Sequence, residues 1–207
     1  MKKDLAILVA DRNMQAGVDG ILHRPQALGI RAVDWRIIRH SGRDGGTRDS
    51  GPELLAMLRR ECSHGIVMLD WEGSGSDAKS PEALQSELQV RVDRDWGVGK
   101  GLAVVIVPEL EAWIWGQDNA MRQFIKWDNP GGLAIRDWLR SRGFVFRSDH
   151  KPERPKEALE AILVQVNMPR SSALFEQAAS RLSLDKCVDP AFVRLRDALR
   201  GWFRLRS

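Results

Sequence analysis

The sequence has no tyrosine, two cysteines and four histidines in 207 residues. Each scarcity closes off a chemistry. Cys62 and Cys187 have no partners at metal-ligand spacing, and two cysteines do not build a disulfide framework. The histidines are too scattered for a zinc site, and His23 and His64 read as structural or surface groups. Neither Ser nor Cys occupies a nucleophile-elbow context, which removes serine- and thiol-hydrolase readings. No apolar run approaches the length of a membrane span. The opening Met1-Lys2-Lys3-Asp4 passes straight into a strand-like run, too short and too acidic for a signal peptide. The expected location is the cytoplasm, with no membrane partner.

What is present is an ordinary globular composition. Hydrophobic residues make up 43% and charged residues 29%, enough for a sizeable core under a polar surface. The formal charge of +4 is compatible with a polyanionic partner without identifying one. The basic excess is concentrated at the end, where Arg194, Arg196, Arg200, Arg204 and Arg206 face only Asp197. Eight tryptophans are unusual for this length, and most read as core or interface anchors. The length suits one domain: an α/β core over residues 1–130 with a helical extension over 131–207 packed on it.

Three apolar runs organise the chain. Residues 5–10 (LAILVA) end at Asp11. Residues 65–69 (GIVML) end at Asp70-Trp71-Glu72-Gly73-Ser74-Gly75. Residues 102–107 (LAVVIV) end at Pro108-Glu109-Leu110-Glu111. Such runs read as strands buried on both faces, the pattern of a parallel sheet. A further strand is expected over 30–38. Between the strands, Val18, Ile21 and Leu22 mark a helix over 14–23, and Leu54, Leu55, Leu58 and Cys62 mark a second. Ser80-Pro81-Glu82 has the form of a helix start. The predicted fold is therefore α/β, three-layered, with a mainly parallel sheet and a helical C-terminal portion.

Beyond residue 131 the pattern turns helical. Helices are expected over 133–140, from Pro155 (Ala158, Leu159, Ile162, Leu163, Val166), after Pro169-Arg170-Ser171-Ser172 (Leu174, Phe175, Ala178, Leu182) and from Asp189-Pro190. Residues 143–146 read as an edge strand.

In a parallel sheet the carboxyl ends of the strands lie along one edge, where ligands bind. Asp11, Asp70, Glu72 and Glu109 or Glu111 would gather there. Several carboxylates in one place call for a hard cation with oxygen ligands, Mg²⁺ or Mn²⁺. If Pro108 opens a helix, Glu109 and Glu111 diverge, and only one would face the ion. The ordinary alternative for any one of these acids is a loop cap or a solvated side chain.

Around this edge the sequence offers donors for phosphate: His40, Arg43, Lys151, Lys156 and Arg170. The stretch 40–51 is rich in glycine and matches no nucleotide fingerprint. It reads as a loop, either a mobile surface segment or a binding loop.

These acids resemble the Toprim-like arrangement of topoisomerases, primases and OLD-family nucleases, with Asp11 at the first acid and Asp70 with Glu72 at the pair. Asp11 stands where that arrangement carries glutamate, and Glu72 where it carries a second aspartate. A wider set is similar to a small Toprim-like bacterial family found beside DNA-methylation-linked phage-defence genes. That set comprises Arg24-Pro25, Leu28-Gly29-Ile30, residues 40–45, residues 69–75, Pro108 to Trp113, Lys151-Pro152, Pro155 to Ala158 and Pro169 to Ala173. The resemblance implies a role in defence against phage. Three functions follow as expectations. One is a Mg²⁺-dependent nuclease in which Asp70, Glu72, Asp11 and Glu111 are catalytic. The second is a non-catalytic subunit bound to other defence proteins through tryptophans such as Trp113. The third is a sensor taking a nucleotide or a phage component through residues 40–51.

Overall fold

The computed structural model describes residues 2–115, 117–147, 151–181 and 183–205, and the backbone alone of Asp118. Four strands, β1 (Lys3–Val9), β2 (Trp35–Arg39), β3 (Cys62–Asp70) and β4 (Gly101–Ile106), form one sheet in the order β2-β1-β3-β4. Every pairing is parallel. The helices are α1 (Arg12–Leu22), α2 (Pro25–Leu28), α3 (Arg43–Ala56), α4 (Pro81–Trp96), α5 (Asp118–Phe124), α6 (Ile135–Ser141), α7 (Pro155–Gln165), α8 (Ser172–Arg181) and α9 (Pro190–Trp202). Short 3-10 turns follow β3 at Glu72–Ser74 and β4 at Leu110–Trp113.

The apolar runs become strands because both sheet faces are covered. Leu5 to Val9, Ile66 to Leu69 and Ala103 to Ile106 are all buried, so an alternating pattern is neither needed nor seen. The register carries Val9 against Arg39 and Met68, and Asp70 against Ile106. All four carboxyl ends therefore finish on one edge. The helix starts follow their caps: Asp11 accepts from the Met14 N–H, Ser80 from Ala83, and Asp189 from Ala191 and Phe192.

The C-terminal helices share the core of the sheet. Leu174, Phe175, Ala178, Leu195, Leu199 and Phe203 belong to the same buried cluster as the strands. α8 packs on α1, and α9 packs against β4. Five tryptophans (96, 113, 115, 127 and 138) are buried, in keeping with an anchoring role. Trp113 donates to Asp189 Oδ1 and Trp115 to the Pro155 carbonyl, so their polar ends are satisfied inside the protein. Trp113 is consequently a core residue, not a surface for a partner. His64 stacks on Trp202, and His23 bonds the Asp19 carbonyl, both structural placements.

Two expected elements differ. The stretch 40–51 is mostly helix, the first two turns of α3 and part of its third, because its glycines face close neighbours. A Cβ at Gly46 would lie 2.4 Å from the His40 ring, and one at Gly51 would lie 3.0 Å from Val67. Small residues here let α3 approach the sheet closely, and a reading based on flexibility misses that. Residues 143–146 form no strand; Phe146 makes an isolated bridge to Pro152. Leu182, His150 and Arg206 lie outside the described residues. Among the described residues, no helix is long and apolar enough to cross a membrane.

Candidate functional site

Beyond the strand ends, Asp11, Asp44, Asp70, Glu72, Glu109 and Glu111 line one open cleft, together with Arg43, Lys156 and Arg170. The carboxylates come from four parts of the chain. Asp11 follows β1 and caps α1, accepting the Met14 N–H at 2.8 Å. Asp70 ends β3, and Glu72 opens the 3-10 turn after it. Glu109 and Glu111 follow β4 across a cis Val107–Pro108 peptide.

Asp44 joins them from outside the set that the sequence marks. It sits in the first turn of α3, and its Oδ1 accepts the backbone N–H of Asp70 at 2.8 Å. The contact depends on Gly73, where a Cβ would fall 2.4 Å from Asp44 Oδ2. The signal was present in the sequence, since an acid in a helix's first turn is favoured by the dipole. Reading 40–51 as a loop hid it.

Both Glu109 and Glu111 line the cleft, so the expected choice between them does not arise. Glu109 precedes the 3-10 turn with an extended backbone (φ −161°, ψ 169°), which frees it from the helical geometry that would have turned it away. Glu109 is 7% exposed, and its carboxylate accepts the Lys156 N–H at the start of α7 at 3.0 Å. Glu111, 3% exposed, pairs with the Arg170 guanidinium. Arg170 also reaches Glu160 at 3.6 Å. The helical extension thus supplies the positive counterparts of acids delivered by the sheet.

The electrostatics are those of crowded like charges. Asp70 is pushed well above the usual carboxylate range, first by burial and then by repulsion from Asp44, Glu111, Asp11 and Glu109. Its Oδ1 is shielded from solvent and has no hydrogen-bond partner among the described residues. Burial, then Glu111, raises Glu109 to about 7, against the opposing Lys156 N–H and Lys156 charge. Asp44 is raised by burial and by Asp11. Such a set is unfavourable on its own and is relieved by protons or by a cation. An orphaned buried carboxylate oxygen amid all-oxygen donors fits a hard divalent ion. Among the described residues, however, no three His, Cys, Asp or Glu side chains converge tightly enough to cage an ion as they stand.

Comparison with protein families, with curated proteins and with solved structures gives no match. The site therefore has to be read from its own residues.

The phosphate donors expected from sequence divide into two groups. Arg43, Lys156 and Arg170 border the cleft, and His40 lines the basic recess beside it. Arg43 has a left-handed backbone (φ +51°), a conformation that costs a non-glycine residue on the order of 1 kcal/mol. Thr47 Oγ donates to the Arg43 carbonyl at 2.8 Å and steadies it. His40 Nδ1 accepts the Gly42 N–H at 2.9 Å, and Nε2 lies 3.0 Å from Ser50 Oγ. Lys151 does not belong with them. It is 4% exposed and donates to the buried Asp189 at 2.6 Å, because a lysine inside the core needs a carboxylate partner. It lines neither cleft.

Proposed function

We propose that the protein is a Mg²⁺- or Mn²⁺-dependent phosphodiester hydrolase acting on nucleic acid, as a component of a bacterial antiviral defence system. The observation that carries the chemical part is the unpartnered, buried Oδ1 of Asp70 with four other carboxylates pressing on it. The defence role rests on the resemblance of the sequence motifs alone.

In this reading Asp70 and Glu72 hold the ion, with Asp11, Asp44, Glu109 and Glu111 around them. A divalent cation, when bound, offsets the clustered negative charge and supplies Lewis acidity toward a phosphoryl oxygen. Arg43, Lys156 and Arg170 orient and neutralise the phosphate from the basic side. Glu109, which lines the same cleft, is suited to take the proton from an attacking water once a bound cation keeps its carboxylate ionised.

A second reading is favoured by a different observation. Asp11, Glu109 and Glu111 already have partners inside the protein, in the α1 cap, the Lys156 N–H and Arg170. Acids so engaged suit a non-catalytic Toprim-like platform that binds without cutting. The test is cleavage of labelled DNA and RNA with Mg²⁺ or Mn²⁺, for wild type and Asp70→Ala. Loss of activity of at least 100-fold in the variant supports the hydrolase. Metal-dependent activity at the same rate in both proteins removes it, and absence of cleavage in wild type leaves the binding platform.

A further inference from the structure

Beside the carboxylate cleft lies a recess of opposite charge. It is lined by Arg12, Arg39, Arg43, Lys156 and Arg170, with His40 at its wall, and Asp11 is its one acid. Asp11, Arg43, Lys156 and Arg170 line both clefts, so the two are continuous. On its other side the recess runs on through Arg12 and Arg39 to Ser172 at the head of α8. Asp19, which lines that end, already accepts Trp35 Nε1 at 2.9 Å and lies 3.5 Å from His23.

Arg12 and Arg39 have no part in the sequence-level phosphate set. Arg12 opens α1 directly after Asp11, and Arg39 ends the edge strand β2, so the topology brings them together from neighbouring strand ends. Both are exposed, and neither makes a side-chain hydrogen bond, ion pair or ring contact among the described residues. Most other arginines near the sheet are tied down. Arg31 is held by Asp4, Arg36 by Glu61, Arg48 by Asp49 and Arg91 by Glu53. Two unpaired guanidinium groups beside Arg43, along a groove that shares residues with the acidic cleft, form a surface with unmet demand for anions. A single phosphate would leave most of that charge unanswered. A chain of phosphates along the groove would answer it.

We infer that Arg12, Arg39 and Arg43 form a backbone track for single-stranded nucleic acid, holding phosphates that flank the one presented to the carboxylate cluster. The inference rests on the phosphodiester reading of that cluster and assigns residues outside it. Phosphate contacts of this kind fix register and supply affinity without reading sequence. Arg12 sits at a helix start and Arg39 at a strand end, so regular backbone carries the track; a duplex of the same length bound as tightly as the single strand overturns the single-strand assignment.

The experiment is fluorescence anisotropy of a 5′-labelled single-stranded DNA of about 12 nucleotides, titrated with the full chain in EDTA from 50 to 300 mM KCl. The proteins compared are wild type, Arg12→Ala/Arg39→Ala, Arg12→Glu/Arg39→Glu and Asp70→Asn. Both arginines are exposed, and circular dichroism checks that the variants fold. Each phosphate neutralised contributes about 0.7 to the slope of log K against log salt for single strands. The double alanine variant should therefore lower the slope by about 1.4 and weaken binding at least tenfold at 50 mM KCl. The double glutamate variant should abolish binding, and Asp70→Asn should bind as tightly as wild type or more tightly. An unchanged slope in the double alanine variant overturns the track, as does absence of binding by wild type. Equal displacement of the DNA by inorganic phosphate at matched phosphate concentration assigns the recess to small anions and also overturns it. The two readings fail separately: loss of cleavage in Asp70→Ala with an unchanged salt slope removes only the track. A lowered slope with unaltered cleavage in Asp70→Ala removes only the hydrolase.

Discussion

Asp44 Oδ1 accepts the main-chain N–H of Asp70 at 2.8 Å, so an acid on α3 fixes the end of the central strand from outside the sheet. The bond holds one carboxylate against another and keeps both in the cleft. Asp44→Ala would leave the Asp70 N–H unsatisfied and should cost about 1–3 kcal/mol in urea unfolding. Asp44→Asn keeps an acceptor and removes a charge. It should be at least as stable as wild type without metal, and should gain less than wild type in Tm when Mn²⁺ is added. Equal loss of stability in both variants would show that the charge, not the hydrogen bond, is what matters.

The raised carboxylates make a signed prediction for pH. Glu109 titrates at about 7 in the folded protein against an ordinary 4.5. Between those values the native state holds a proton that the unfolded chain has released, so stability falls as pH rises across this window and levels off above it. Asp44 and Asp70 act in the same direction. Asp4 and Glu53, lowered by Arg31 and Arg91, act only at acid pH, where their stabilisation is lost as they protonate. Glu109→Gln should remove up to about 3 kcal/mol of the decline between pH 5 and 7.5, measured by urea unfolding in EDTA. For wild type, Mn²⁺ should stabilise more at pH 8 than at pH 5.5. A wild-type protein that grows more stable over this range would contradict the placement of these acids.

Legibility in the sequence followed the physics of each segment. The runs ending at Asp11, Asp70 and Pro108 were readable because double-sided burial leaves unbroken apolar stretches. The shared edge of their acids then follows from parallel connection alone. Asp44 is not readable, because Gly42, Gly46 and Gly51 look like a flexible loop until the His40 ring and Val67 show why side chains are excluded. The place of Lys151 is hidden for a related reason. Its partner Asp189 lies 38 residues away, and no local pattern announces a buried long-range ion pair. Arg12 and Arg39 gain meaning only from the β1–β2 pairing, which sets two separate strand ends side by side.

The same helix carries a proline whose cost is met by a neighbour. Pro52 lies inside α3 and cannot donate to the Arg48 carbonyl one turn earlier. Arg91 of α4 donates to that carbonyl and to that of Asp49, each at 2.7 Å, and reaches Glu53 at 2.6 Å. Arg91→Ala should destabilise by about 1–2 kcal/mol. Pro52→Ala restores the helical donor, so the loss on removing Arg91 should be smaller in that background. A double-mutant cycle by thermal unfolding measures this coupling, and additive effects would mean that the guanidinium acts through Glu53 and the Asp49 carbonyl instead.

β4 is an edge strand, yet its outer polar groups are occupied by side chains. Residues 101, 103 and 105 turn their peptide groups away from β3. Gln89 of α4 answers them much as a further strand would: its amide donates to the Gly101 carbonyl at 3.1 Å and accepts the Ala103 N–H at 2.9 Å. Gln85 accepts the Val105 N–H at 3.3 Å, and Arg194 of α9 donates to the Ala103 carbonyl at 2.9 Å and to Gln89 Oε1 at 2.8 Å. An open edge of this apolarity would be a template for pairing between molecules. Burial lowers the Arg194 pKa, a sign that its charge is held there against a desolvation penalty. Gln89→Leu preserves bulk but removes both contacts, and combined with Arg194→Ala it strips the edge of most of its partners. The double variant should aggregate at concentrations where wild type stays monodisperse in light scattering, with thioflavin fluorescence rising on mild heating. Gln89→Glu keeps the acceptor for the Ala103 N–H and adds repulsion between copies, so it should resist aggregation although it is less stable. If the double variant loses stability and stays monodisperse, the three side chains only brace α4 and α9 against the sheet, and the edge is protected by some other feature.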